Sequence, residues 1–356
     1  MVNSVSRRTV KLCIAATLTG MLSLSACSQT PEGMLQGALT GIGGKSAQGA
    51  VSAWSVSWSS QVKGASVSYS PDGASAGLKA FSDGQAHFTA SGNSLSDAES
   101  AAVSGLCTSA GAISIAAGVL PVGVATKIKG INDLVLDAPT LAAILRGEID
   151  RWNDPRIAAL NAEQSFPDLK ITVIAEEGPS ETTRAVNAYL TKSPGVSWNP
   201  PQPDRWPSGV KGLTGSQPLN LANTLDETDG GLTVLDGSII GNRFVAAQLM
   251  FDGRARKMDA SSVVDAVAAG EVKTTPRSVT QDLNYSSGYG LATVIYVSVC
   301  KQYAEEPLNR LTRSFGETLL GDKAQKDANS YSFVMSPSKK AISEGLALVR
   351  TIGDAQ

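Results

Sequence analysis

Residues 170–190 read KITVIAEEGPSETTRAVNAYL. Lys170 to Ala175 is short, apolar and rich in β-branched residues, which is the pattern of a strand. Glu176-Glu177-Gly178-Pro179 breaks it, and helical spacing resumes from Thr182 to Leu190. A strand that turns through glycine and proline directly into a helix is the building unit of an α/β fold. It also has a chemical consequence, because the first N–H groups of such a helix lack intrahelical acceptors and lie at the positive end of its dipole. In Gly178-Pro179-Ser180-Glu181-Thr182-Thr183 the hydroxyls of Ser180, Thr182 and Thr183 add further donors. The turn reads equally as an anion cradle or as an ordinary helix start capped by Ser180.

The same alternation extends in both directions. Ala50 to Ser60 reads as a helix with Trp54 and Trp58 one turn apart, Ala65 to Tyr69 as a strand, and Leu78 to Asp83 as the element that follows a glycine-rich turn. Val119 to Thr126 is a short apolar strand, and Ala138 to Leu145 is a helix that starts after Asp137. Prolines 200, 201, 203, 207 and 218 make a long irregular connection. Leu232 to Leu235, Phe244 to Phe251 and Leu291 to Cys300 are further strands, and Ser343 to Thr351 is a closing helix. An α/β fold with two lobes follows from this order and from a length of 356 residues.

Gly73-Ala74-Ser75-Ala76-Gly77 matches the GxSxG pattern of a hydrolase nucleophile elbow. The sole histidine, His87, follows Ser75 closely on the next strand, whereas the elbow fold takes its base from late in the chain. The glycines therefore read as a sharp strand-to-helix turn and a second anion cradle, and no enzymatic activity is expected. Two cradles in different halves of the chain imply a cleft between lobes.

Composition narrows the remaining classes. Thirty Lys and Arg stand against 32 Asp and Glu with no basic cluster, so no nucleic-acid partner is expected. One histidine and four cysteines without CxxC spacing leave no ligand set for a metal, and no cofactor is implied. Residues 1–26 carry Arg7, Arg8 and Lys11 but no acid, and run apolar from Leu12 to Leu24, as a signal peptide does. The run ends in Leu24-Ser25-Ala26-Cys27, which reads as a lipobox that would make Cys27 a lipidated N-terminus, or as the end of a simple secretory signal in which Cys27 is incidental; Ser6 to Lys11 leaves export by the general or the twin-arginine route open. Residues 27–45, glycine-rich and without period, read as a flexible tether. Cys107 and Cys300 are the thiols that remain outside the signal and the anchor, available for a long-range disulfide or buried free.

Several segments in order carry a family resemblance. They are Ser46-Ala47-Gln48 before the Trp-bearing helix, Tyr69-Ser70-Pro71-Asp72-Gly73 with Gly77, Phe88-Thr89-Ala90-Ser91, and Leu145 to Pro155 with its Arg151-Trp152-Asn153-Asp154-Pro155 core. Ser180 with Thr182-Thr183 and the late Ser332 to Pro337 complete the set. The chain resembles the phosphate-binding lipoproteins of bacterial high-affinity phosphate ABC transporters, in their actinobacterial form. The resemblance implies a type 2 periplasmic-binding-protein fold with crossing hinge strands, residues 46–118 and 285–356 forming lobe 1 and 119–284 lobe 2. It implies an extracytoplasmic, lipid-anchored monomer that binds phosphate or a related small oxyanion and delivers it to an ABC permease.

Carried over residue by residue, Ser46 and Ala47 match the first cradle, Gly73, Ala74 and Ser75 the second, and Ser180, Glu181 and Thr182 the third. Ala74 lacks the family's hydroxyl, and Gly92 stands where the family has a proton-accepting aspartate. Glu181 and Pro179 replace glycines, and the family's arginine position falls near Glu176. Phosphate affinity is therefore expected to be weak. The alternative is a divergent paralogue whose degraded site serves as a sensor or protein-interaction lipoprotein.

Overall fold

The structure is a computed structural model that describes residues 35–214 and 218–354. The signal peptide, Cys27 and the beginning of the tether lie outside the described residues. Strand β1 (Gly37–Ile42) pairs in parallel with β2 (Ala65–Ser70) along its whole length and meets β3 (Phe88–Ser91) on its other side. The tether expectation is corrected here, because residues 37–42 form an inner strand of the sheet. The stretch shows no period because glycine serves packing within it. A Cβ at Gly41 would stand 2.2 Å from Phe88 Cζ, so only glycine lets the ring lie against the strand.

Strand β4 (Ala112–Lys127) is the spine of the molecule, with every residue buried except the last. Its sequence contains Ala, Ser and Gly before the run that begins at Val119, which is why sequence pattern marks only its second half. Smallness is required there: a Cβ at Gly118 would lie 2.6 Å from Val334 Cγ1 and 3.3 Å from Trp54 Cζ2. Strands β5 (Thr172–Glu176), β6 (Gly231–Asp236) and β7 (Ala292–Cys300) complete the path β2-β1-β3-β7-β4-β6-β5, and Leu213–Thr214 lies beyond β5.

β4 and β7 run antiparallel, Ala292 opposite Pro121 and Cys300 opposite Ala112. Ile113, Ile115 and Leu120 of β4, with Ile295, Val297 and Val299 of β7, enter one core with Leu39, Trp54, Trp58, Phe88 and Phe315. Val122 and Val124 enter a second core with Leu141, Trp152, Tyr189, Trp198 and Tyr289. Two hydrophobic cores are thus joined by two long strands, which is a hinge arrangement.

The hairpin Val272–Thr274 and Ser278–Gln281 belongs with the first core, through Val272 and Val279, and pairs with β4 at Ser114 and Ile115. The chain thus returns to the first core before residue 285 and re-enters the second through Tyr289 and Leu291. Sequence order cannot show this, because the return depends on a parallel pairing with a strand more than 150 positions earlier. Cys107 and Cys300 are joined by a disulfide across a separation of 193 residues.

Candidate functional site

Beyond β1 the chain passes through Gly43 and Gly44 into a 3-10 turn, Lys45–Ala47, and helix α1 (Gln48–Gln61). Gly44 is held from two sides: its N–H donates to Ala90 O (2.7 Å), and its carbonyl accepts from the Tyr69 hydroxyl (2.8 Å). Burial, and then the charges of Glu181 and Asp72, push the Tyr69 phenol up, so it stays a donor. Ser46 presents its N–H to the cleft. Ala47 does not: its side chain is fully buried and its N–H donates to Gly44 O (3.3 Å). The sequence expectation for Ala47 is corrected, because the tight turn uses the donor that a ligand would need.

Helix α2 (Ala74–Ser82) starts the second cradle without a side-chain cap, so Ala74 and Ser75 stand at an uncapped helix start. Gly73 has φ +106° and donates its N–H to Gly43 O (2.8 Å), which ties the two cradles together. A Cβ at Gly77 would stand 2.4 Å from Ile42 O, so the last glycine of GxSxG answers to close packing. His87 Nδ1 accepts from the Thr40 N–H (2.8 Å), and burial pushes its pKa down. It is absent from the residues lining the cleft and serves Ser75 as no base.

The third cradle opens helix α3 (Glu181–Lys192). Ser180 is its N-cap, with Oγ accepting from the Thr183 N–H (3.5 Å) and sharing a hydrogen bond with Thr182 Oγ1 (2.8 Å). The capping reading of Ser180 holds, and Ser180, Glu181 and Thr182 also line the cleft. One turn on, the Arg184 guanidinium stands 3.3 Å from Asp204, and its buried Nε has no hydrogen-bond partner among the described residues.

These elements enclose a cleft of about 600 Å³, lined by Ser46, Gly73, Ala74, Ser75, Ser180, Glu181 and Thr182 among the expected residues. Gly92 is not in the lining. Its N–H donates to Glu181 Oε1 at 2.5 Å, and the Ser46 N–H donates to Glu181 Oε2 at 3.3 Å. Glu181 thus reaches from the start of α3 to backbone donors on the far side. Glu176 lines the cleft, and Lys45 compensates it at 3.4 Å. The lining holds the carboxyl groups of Asp72, Glu176, Glu181, Asp204 and Asp236 against the cations Lys45 and Arg184.

Sequence reasoning missed Lys45, Arg184 and Asp236. Arg184 had a local signal, since it lies four residues after Ser180 and so on the same helix face. Asp236 had none, because it arrives at the end of β6. Burial pushes the Asp236 carboxyl up, partly offset by hydrogen bonds from the Ser238 hydroxyl (2.5 Å) and the Ile239 N–H (3.3 Å). The sequence reading left the cleft with an acid, Glu176, where the family has its arginine; positive charge reaches the lining from Lys45 and Arg184, which long-range folding brings there.

Comparison with known proteins agrees with this architecture. A family profile described as a PBP superfamily domain matches residues 28–323. The phosphate-binding protein PstS 3 of Mycobacterium tuberculosis is 26% identical over 276 residues, 72% of each chain. PstS 2 of the same organism is 26% identical over 226 residues, 61% of this chain, and the match spans only 60% of that relative's length. Among solved structures, a high-affinity periplasmic phosphate-binding protein (PfluDING) bound with phosphate superposes with a TM-score of 0.68 at 15% identity, over 86% of this chain and 93% of that one.

Proposed function

Since the chain belongs to the PBP superfamily, we propose that it is the extracytoplasmic solute-binding lipoprotein of a phosphate-type ABC transporter. The family binds rather than transforms its solute, and the cleft holds the apparatus for doing so. One observation carries the reading: backbone N–H groups of Ser46 and Gly92 already hold the two oxygens of a carboxylate, so this seat accepts an oxyanion. The relatives named phosphate-binding proteins support phosphate as that anion. Lys45 and Arg184 supply positive charge, Ser75, Ser180 and Thr182 supply hydroxyls, and Asp236 is a carboxyl group able to accept a proton from hydrogen phosphate.

In this reading two lobes, one around each core, close about β4 and β7, with the 272–281 hairpin on the side of the first core and Tyr289 and Leu291 on that of the second, and the closed monomer docks on an ABC permease. The rival reading, a sensor with a collapsed site, is disfavoured by the cleft of about 600 Å³ that remains open. Melting in the presence of phosphate, sulfate and a neutral solute tests the ligand. Phosphate at about 100 times its Kd should add roughly 2.7 kcal/mol of stability. No shift with millimolar phosphate, alongside a shift with another solute, would end the phosphate assignment.

Lipid anchoring at Cys27 is part of the same proposal, supported by the lipobox Leu24 to Cys27. Cys27→Ser is expected to move the protein from the membrane fraction to the soluble fraction, or to leave it as an unprocessed precursor. A variant that remains fully lipid-anchored would remove Cys27 from that role.

A further inference from the structure

The contact that marks the seat also has an occupant, whose role the proposed function does not address. Glu181 is the first residue of α3, yet its carboxylate does not serve that helix. It spans to backbone donors far away in sequence, Oε1 taking the Gly92 N–H at 2.5 Å and Oε2 the Ser46 N–H at 3.3 Å. The room it occupies exists because two glycines border it. A Cβ at Gly44 would lie 2.3 Å from Glu181 Oε1, and one at Gly92 would lie 3.3 Å from the same atom. The base of the residue is fixed as well, since the Glu181 carbonyl accepts from the Thr293 hydroxyl at 3.4 Å. A charged carboxylate on backbone N–H donors is a strong pairing, and its tether keeps the effective concentration high. Lys45, on the same 3-10 turn as Ser46, meets Glu176 at 3.4 Å and makes a second bond between the same two sides.

We infer that Glu181 is an internal ligand: its carboxylate occupies the anion seat formed by Ser46 and Gly92 and must leave before an external oxyanion enters. The inference rests on the anion-binding reading of this cleft and adds its regulation. An entering phosphate competes with a group that is always present, so apparent affinity is reduced by the fraction of molecules whose seat is free. If Glu181 holds the seat in nine molecules of ten, apparent affinity falls about tenfold. The same contact joins α3 to the turns after β1 and β3, so it also ties the two sides of the cleft together without solute. Such a protein responds to high solute concentrations and ignores low ones.

Two variants and two measurements test this. Glu181→Gly removes the carboxylate, and Glu181→Gln keeps its length while removing its charge. Titration calorimetry with inorganic phosphate should show affinity at least tenfold higher in Glu181→Gly than in the unaltered protein, with Glu181→Gln between them. Amide hydrogen exchange, followed without phosphate, should be faster at Ser46 and Gly92 in Glu181→Gly, and millimolar acetate should slow it again in that variant only. Unchanged exchange at both amides, or equal phosphate affinity in all three proteins, overturns the internal-ligand assignment. Faster exchange that acetate reverses, with no phosphate binding by any of the proteins, upholds Glu181 as the seat's occupant and overturns phosphate as the solute.

Discussion

Trp152→Ala is expected to lower the free energy of unfolding by about 3–5 kcal/mol, the range for truncating a large buried aromatic. Trp152 is fully buried in the second core, among Leu141, Ile157 and Leu232. Its backbone N–H donates to Leu169 O (2.9 Å) and its indole Nε1–H to Gly230 O (3.1 Å), so the ring joins two connections that flank β5 and β6. Alanine would leave a ring-sized void that the surrounding strands cannot close. Trp152→Phe separates volume from hydrogen bonding. It keeps most of the ring, and Gly230 O retains the bond from the Thr172 N–H (3.1 Å), so no buried acceptor is orphaned. The phenylalanine variant should therefore lose clearly less than the alanine variant. Urea unfolding of both proteins decides the point, and an alanine variant within 1 kcal/mol of the unaltered protein would mean that the pocket closes around the loss.

Removing the disulfide should have an effect of similar size. Cys107 and Cys300 enclose nearly two hundred residues, and the chain-entropy account gives about 5 kcal/mol for so long a loop, with native bridges usually worth about 2–5 kcal/mol. The bridge sits in a small apolar cluster with Phe81, Leu95, Val103 and Tyr303, and fastens the end of β7 to the segment before β4. Cys107→Ala with Cys300→Ala is the appropriate variant, since alanine places no unpaired hydroxyl in that cluster. Its midpoint of thermal unfolding should fall well below that of the oxidised protein. Equal midpoints would show that β4 and β7 hold this corner without the bridge.

What was legible in the sequence is local. The turn from Lys170 to Thr183 and the segment from Tyr69 to Gly77 each declare a strand, a glycine turn and a helix start within about a dozen residues. The physics of unpaired N–H groups at such a start requires no knowledge of the rest of the chain. The helices 48–61, 138–146 and 181–192 follow from apolar spacing and caps, with Asp137 and Ser180 accepting from the third residue on.

What failed to show was long-range. β1 is a strand only because β2 and β3 flank it, and its glycines serve the Phe88 ring rather than flexibility. The first half of β4 is a strand because β7 and the 278–281 strand pair with it, and Gly118 is small because Trp54 and Val334 lie against it. Ala47 differs from Ser46 by one position, yet one N–H faces the cleft and the other closes a turn.

The sequence by itself therefore determined the class of fold and the places where a strand turns through glycine into a helix start, because each depends on neighbours a few bonds away. Only the tertiary structure decided what stands in the seat. Glu181 meets Gly92 across 89 positions and Ser46 across 135, and Lys45 meets Glu176 across 131. A carboxylate acts only on groups within a few ångströms, and which groups those are is set by how β4 and β7 bring two cores face to face.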